Sequence, residues 1–243
     1  MANWGMVIDL DKCVGCQACS LACKAENNVP HGTPYEHDRH HDMYWHKVIA
    51  AHEGEYPAVN TQIIPMPCMH CSSPPCVNVC PSKATFKRGD GIVVQNFRRC
   101  LGCRYCIVAC PYGARNFNFK DQQDEEYQRP DLPPDLAAEV GGLKYGAEIG
   151  PWPYPHRTRG VVEKCTYCFH RIDEALLRIE NGADIKIGVD VVPACVEACP
   201  TEARFFGDLD DPESTVSRLL ASRTYIKLRE DMLTNPKTIY LPR

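Results

Sequence analysis

Four sets of four cysteines carry the chain's most obvious chemistry. They are Cys13, Cys16, Cys19 and Cys23; Cys68, Cys71, Cys76 and Cys80; Cys100, Cys103, Cys106 and Cys110; and Cys165, Cys168, Cys195 and Cys199, which together use all 16 cysteines of the 243 residues. Three uses of a four-thiol set compete, and spacing separates them. A disulfide framework suits short secreted chains. This chain is long enough to bury an ordinary core, is expected to lack a leader from the pattern of "MANWGMVIDLDKC", and repeats two-residue spacings that are awkward for a mutual bridge. Structural zinc normally takes two well-separated C-x2-C knuckles, but the third cysteine of the first and third sets follows almost at once. The run C-x2-C-x2-C-x3-C-P instead places soft thiolates to hold the irons of a [4Fe-4S] cubane, and "CLGCRYCIVACP" matches it residue for residue. Four such sets imply four [4Fe-4S] clusters.

The elements that position these thiols repeat as well. "GMVIDLDKCVGC" and "GIVVQNFRRCLGC" each read as a short β-branched strand, a basic residue and a cysteine loop with a glycine, Gly15 or Gly102, that permits a positive φ beside the sulfurs. Behind the fourth cysteines, "CPSKATF", "CPYGARNF" and "CPTEARFF" repeat a helix-ending proline and a following strand. Only the first set ends in Cys23-Lys24 rather than Cys-Pro, which leaves its helix free to continue through "KAENN".

In two-cluster ferredoxins the fourth cysteine of each run ligates the other cluster. Residues four apart share a helix face one turn along, so one helix reaches two clusters. Applied to the middle sets, the rule puts one cluster on Cys68, Cys71, Cys76 and Cys110 and another on Cys100, Cys103, Cys106 and Cys80. The first set must then pair with the fourth: Cys13, Cys16 and Cys19 with Cys199, and Cys165, Cys168 and Cys195 with Cys23. The expected fold is α+β, two bacterial-type 2[4Fe-4S] ferredoxin-like units with one inserted in the other and long irregular loops. Residues 1–30 and 161–209 form the split unit and 57–119 the inserted one. The 26 residues between Cys168 and Cys195 open as an amphipathic helix and stop at Asn181-Gly182. Residues 31–56, rich in histidine but without ligand spacing, and 120–160, acidic and then Pro/Gly-rich, read as interface loops, with 210–243 as a C-terminal tail that also reads as a subunit interface.

A net charge of -4 and mixed charge signs give no sign of a nucleic-acid partner, and none is expected; no window approaches the roughly 20 apolar residues of a bilayer-spanning helix. The chain is expected to have no export signal of its own and no direct membrane span. Dinucleotide fingerprints, nucleophile elbows and HExxH are missing from the sequence, so the expected role is electron transfer without a catalytic site. Lys12, Arg98, Arg99, Arg104 and Lys164 adjoin cysteines and would favour the reduced, more negative clusters if buried. His70 and His170 are candidates to hydrogen-bond a cluster sulfur.

With "MVIDLDKCVGCQACSLACKAENN", "CMHCSSPPCVNVCP", "CLGCRYCIVACPYGA" and "PACVEACP" in this order, the whole chain resembles the four-cluster iron–sulfur (beta) subunit of the complex iron–sulfur molybdoenzyme, or dimethyl sulfoxide reductase, family. It looks most like the subunits of polysulfide, thiosulfate, tetrathionate and arsenate reductases. Nitrate-reductase-like members carry tryptophan where Cys103 stands and hold a three-iron cluster there, so Cys103 implies four cubanes. The resemblance further implies an order of clusters and two partners. The cluster of Cys13, Cys16, Cys19 and Cys199 would face a molybdopterin-containing catalytic subunit. That of Cys100, Cys103, Cys106 and Cys80 would face a quinone-reactive membrane-anchor subunit, within a peripheral membrane-associated complex on the cytoplasmic face or, by export with a signal-bearing partner, in the periplasm. The rival reading is a free soluble polyferredoxin carrier.

Overall fold

The computed structural model describes residues 2–29, 43–119 and 157–243. Its central strand, β1 (Trp4–Asp9), is buried at all six positions, as its unbroken "WGMVID" run requires of a strand covered on both faces. On one side β8 (Arg204–Asp208) pairs with it antiparallel, from Trp4↔Asp208 to Ile8↔Arg204, and on the other β9 (Thr238–Leu241) pairs parallel, from Met6↔Thr238 to Asp9↔Leu241. The strand before the first cysteine set therefore lies beside the strand after the fourth.

Three two-stranded pairs complete the sheet structure of the described residues. β2 (Lys47–Glu53) pairs with β3 (Asn60–Met66), β4 (Thr85–Lys87) with β5 (Val93–Gln95), and β6 (Arg115–Phe117) with β7 (Val162–Lys164). The last pair joins the strand after the third set to the strand before the fourth, so pairing crosses the boundary between the two expected units. Among the helices, α1 (Ala18–Glu26) packs on α5 (Ala194–Glu197), and α2 (Pro75–Asn78) on α3 (Tyr105–Val108). Helix packing thus groups the first set with the fourth and the second with the third.

Local chemistry explains where these helices stop. Helices α2, α3 and α5 end one or two residues before Cys80-Pro81, Cys110-Pro111 and Cys199-Pro200, because proline cannot continue the ladder. Helix α1 has Lys24 instead and runs on to Glu26, with Lys24 buried and its ammonium 4.0 Å from the centre of the Tyr44 ring. Helix α4 (Phe169–Glu180) leaves the fourth set and ends at Asn181-Gly182, where Gly182 takes φ 89° and its N–H bonds the Ile179 carbonyl.

Two expectations need correction. Residues 47–53, read as loop, form a strand, because "KVIAAHE" and "NTQIIPM" pair across a turn holding Gly54 and Pro57, and the expected boundary at residue 57 falls inside that turn. The C-terminal tail is not free for a partner along its length: α6 (Thr215–Ser222) precedes β9, whose Thr238, Tyr240 and Leu241 are fully buried. Its "TIYL" run is a core strand. The histidine-rich stretch up to residue 42 and residues 120–156 lie outside the described residues.

The main core runs from Trp4, Met6 and Ile8 through Met69, Tyr167 and Tyr240, and it contains Cys19, Cys23, Cys68, Cys71, Cys165 and Cys195. Thiols of both expected units share one interior. Across it, Glu26 at the end of α1 binds His170 Nε2 and Arg171 Nε, each at 2.6 Å, so the first helix is tied to α4. Burial alone would raise the Glu26 carboxyl, but the His170 and Arg171 hydrogen bonds outweigh it and hold the group at about 2 against an ordinary 4.5. A carboxylate depressed on folding stabilises the protein above its unfolded value and loses that contribution as pH falls through the folded one. Glu26→Gln should therefore lower stability at pH 7 by on the order of 3 kcal/mol. In thermal melts the gap from the parent should be full above about pH 4.5 and close as pH falls towards 2.

Candidate metal centres

The first C-x2-C loop of each set turns at its third residue, which is left-handed in all four sets: Gly15 at φ 71°, His70 at 43°, Gly102 at 68° and Tyr167 at 55°. The turn aims backbone N–H groups at sulfur. His70 N lies 3.5 Å from Cys68 Sγ and Tyr167 N 3.5 Å from Cys165 Sγ. Further donors come from two strands and from the residue that leads into β8: Thr85 N to Cys80 Sγ, Val162 N to Cys100 Sγ and Ala203 N to Cys199 Sγ, each at 3.4 Å. N–H groups directed at sulfur stabilise the negative charge that a thiolate-ligated cluster carries. At Gly102 a side chain has no room, since a Cβ would sit 2.1 Å from the Gly160 carbonyl oxygen. His70 and Tyr167 hold the same conformation with side chains, at a cost of roughly 1–2 kcal/mol each.

The structure brings cysteines from distant sets together. One cavity is lined by Cys13, Cys16 and Cys19 and, from the far end of the sequence, Cys199. Buried Cys23 lies near enough to Cys165, Cys168 and Cys195 to feel their charge, and Cys71 likewise feels Cys68, Cys76 and Cys110. Cys106 feels Cys76 and Cys100. Cys80 is half-buried and accepts the Thr85 N–H bond, and Cys16 and Cys103 are exposed. None of the sixteen is in a disulfide.

The donor set fits a polynuclear iron–sulfur group. All sixteen cysteines are free, soft donors of the kind that hold the irons of a [4Fe-4S] cluster. Burial, then the neighbouring thiols, pushes Cys71 and Cys165 up to about 12, and Cys23 and Cys168 rise well above their ordinary value for the same reasons. Thiols so placed become thiolates only with positive charge among them, which iron supplies.

Two buried cations are the residues that sequence reasoning missed. Arg115 and Arg204 stand five residues after Cys110 and Cys199, in "CPYGAR" and "CPTEAR". Arg115 donates to Gln95 Oε1 at 3.1 Å and lies among Cys76, Cys106 and Cys68, while its Nη2 is buried without a hydrogen-bond partner among the described residues. An unpartnered guanidinium nitrogen amid thiols is suited to a sulfide-bearing anion. Arg204 lies among Cys195, Cys19 and Cys199 and is braced by the His46 ring, which burial and Arg204 keep neutral. Nδ1 of that ring meets Ser20 Oγ at 3.3 Å. The repeated C-P-x-x-A-R was the available signal. The cations singled out by adjacency fare differently. Lys12, Arg98, Arg99 and Arg104 are exposed, with Arg104 lying over the Phe117 ring at 3.8 Å. Lys164 is buried but donates to the Cys165 carbonyl at 2.8 Å and to the Val93 carbonyl. His170 meets Glu26, and His70 accepts the Val93 N–H on Nδ1 at 3.1 Å, so the His70 contact with sulfur comes from its backbone.

A buried positive charge favours the more negative, reduced state of a nearby cluster and so raises its potential. Arg204→Gln should lower the midpoint potentials of the two clusters flanking it by on the order of 60 mV, tenfold in a one-electron equilibrium, and leave the other two unmoved. EPR-monitored redox titration reads this directly.

Comparison with known proteins places these features in a family. A 4Fe-4S dicluster domain matches residues 59–129, a second dicluster description matches 99–203, and a 4Fe-4S binding domain matches 4–25. The chain is 41% identical to the menaquinone reductase iron–sulfur cluster-binding subunit of Nitratidesulfovibrio vulgaris, over 99% of this chain and 89% of that protein. It is 39% identical to the arsenate respiratory reductase iron–sulfur subunit of a Shewanella species, covering 98% and 95%, and 31% identical to the B subunit of polysulfide reductase from Wolinella succinogenes, covering 99% and 94%.

Proposed function

This chain belongs to the iron–sulfur subunits of the complex iron–sulfur molybdoenzyme family, and we propose that it relays electrons through four [4Fe-4S] clusters between a molybdopterin catalytic subunit and a quinone-reactive membrane subunit. In that reading the clusters are held crosswise, on Cys13, Cys16, Cys19 and Cys199; Cys165, Cys168, Cys195 and Cys23; Cys68, Cys71, Cys76 and Cys110; and Cys100, Cys103, Cys106 and Cys80. The units are accordingly a ferredoxin-like pair with one inserted between the halves of the other. Each cubane, when bound, exchanges one electron at a time.

The observation that carries the proposal is an unbroken succession of neighbouring thiols. Cys19 feels Cys195, Cys165 feels Cys68, and Cys106 feels Cys76, which supports a succession of sites in the order first, fourth, second, third. The two ends reach solvent. Cys16 is exposed, and within five residues of it in the sequence Val14 and Leu21 are 62% and 58% exposed; Cys103 is exposed, and within five residues of it Leu101, Tyr105 and Val108 are 73%, 63% and 86% exposed. Exposed apolar groups near both end sets in the sequence suit two docking faces, whereas a free carrier needs one. Between them the chain's own residues exclude water, orient sulfur with N–H groups and place Arg115 and Arg204 as fixed positive charges. No helix among the described residues is long and apolar enough to cross a membrane, so attachment would come through the partner at the Cys103 end, in a peripheral complex on either side of the membrane.

Two measurements test this. The purified brown protein should contain about sixteen irons per chain, whereas a colourless protein with zinc refutes the cluster reading. In the assembled complex, Val108→Asp with Leu101→Asp should release the chain from the membrane fraction while the catalytic subunit stays bound. Val14→Asp with Leu21→Asp should do the reverse. Full membrane retention in the first variant contradicts the proposed polarity.

A further inference from the structure

The contact between His70 and Tyr167 has no role in what precedes. Both rings grow from the third residue of a C-x2-C loop, the place filled by Gly15 and Gly102 in the other two sets. Glycine suits that left-handed backbone, so a histidine and a tyrosine there call for a reason beyond the turn. The rings provide it by meeting face to face, with centroids 3.7 Å apart and planes 24° from parallel, at 0% and 1% exposure. Each residue's N–H also reaches the first sulfur of its own loop, Cys68 for His70 and Cys165 for Tyr167. A covalent and hydrogen-bonded link from each interior site therefore ends in the same stack.

The stack is fixed from behind. Val93 N–H donates to His70 Nδ1 at 3.1 Å. Thr238 Oγ1 donates to the Cys68 carbonyl at 3.1 Å, which leaves the Tyr167 hydroxyl to donate to Thr238 Oγ1 at 2.6 Å. The tyrosine of one loop is thus hydrogen-bonded, through one threonine, to the backbone of the other. Phe206 packs its ring edge-on against Tyr167 at 5.4 Å.

We propose that the His70–Tyr167 stack is the electronic bridge between the two interior sites, setting the rate at which electrons pass between the Cys165 set and the Cys68 set. The step is a one-electron exchange: what one site loses the other gains, with both rings unchanged in redox state and no proton moved. Continuous van der Waals contact between the sites is what the rings contribute, and a void in their place would interrupt it. The inference rests on the relay reading above, in which these two sites are adjacent.

Substitutions that spare the backbone test it. His70→Asn keeps a side chain that tolerates positive φ and an oxygen able to accept the Val93 N–H, but removes the ring. Tyr167→Gly copies the other two loops. Tyr167→Phe keeps the ring and loses only the hydroxyl. In the full chain carrying its clusters, iron content and EPR-monitored potentials are measured, together with the rate of internal electron redistribution after pulsed reduction. His70→Asn and Tyr167→Gly should retain iron and potentials yet redistribute electrons several-fold more slowly, whereas Tyr167→Phe should melt lower and keep the parent rate. A parental rate in His70→Asn, or a fall that merely follows moved potentials, overturns the bridge. If either ring-less variant fails to fold, the other decides. A parent chain lacking four clusters refutes the relay itself, which is a different failure from four clusters and an unchanged rate.

Discussion

Sixteen thiols, nine of them buried, cannot be held as ligands in one protein interior unless positive charge stands among them. Burial and mutual repulsion push Cys71 and Cys165 to about 12 and Cys23 and Cys168 well up, so the empty chain would keep these groups protonated. Two sources of positive charge answer that requirement: the iron of the clusters and the guanidinium groups of Arg115 and Arg204. Metal binding, proton release and completion of the core are then one event. A core in which Cys19, Cys23, Cys68, Cys71, Cys165 and Cys195 pack with Met6, Ile8 and Tyr240 is as much ligand sphere as hydrophobic interior.

The same constraint explains the economy of the repeats. Each set needs a turn that aims N–H groups at sulfur, a short helix that carries a thiol towards a second site, and a strand that returns the chain. The strand brings an arginine in two cases, Arg115 on β6 and Arg204 on β8, and each lies among cysteines of two sets. Where a set faces the outside the turn residue is glycine, Gly15 or Gly102. Where it faces another set the turn bears His70 or Tyr167 and accepts the strain. Lys24 belongs to this logic too: in place of a proline it prolongs α1 to Glu26, which then fastens the helix to α4.

Much of this was legible in the sequence because cysteine spacing is a direct record of ligand geometry. The cluster type, the short proline-ended helices, the longer α1 and the stop of α4 at Asn181-Gly182 all follow from local rules. What was not legible depends on distance in the sequence. Adjacency to a cysteine singled out Lys12, Arg98, Arg99 and Arg104, which are exposed, and passed over Arg115 and Arg204, which reach thiols only through the fold. The hairpin of β2 and β3 was hidden by a histidine-rich approach that read as loop. The tail read as an interface because the partner of its "TIYL" strand, β1, lies more than two hundred residues away. His70 was noticed for its position in a loop, but its stacking on Tyr167 is a tertiary fact.

Crossed sharing of ligands is tested most directly by EPR of the reduced Cys23→Ser chain, set beside Cys165→Ser and Cys13→Ser to identify each signal. If Cys23 completes the site of Cys165, Cys168 and Cys195, the component altered in Cys23→Ser is the one altered in Cys165→Ser, and the component lost in Cys13→Ser survives. If Cys23→Ser alters only the Cys13 component, each set closes on itself and the crossed arrangement is wrong.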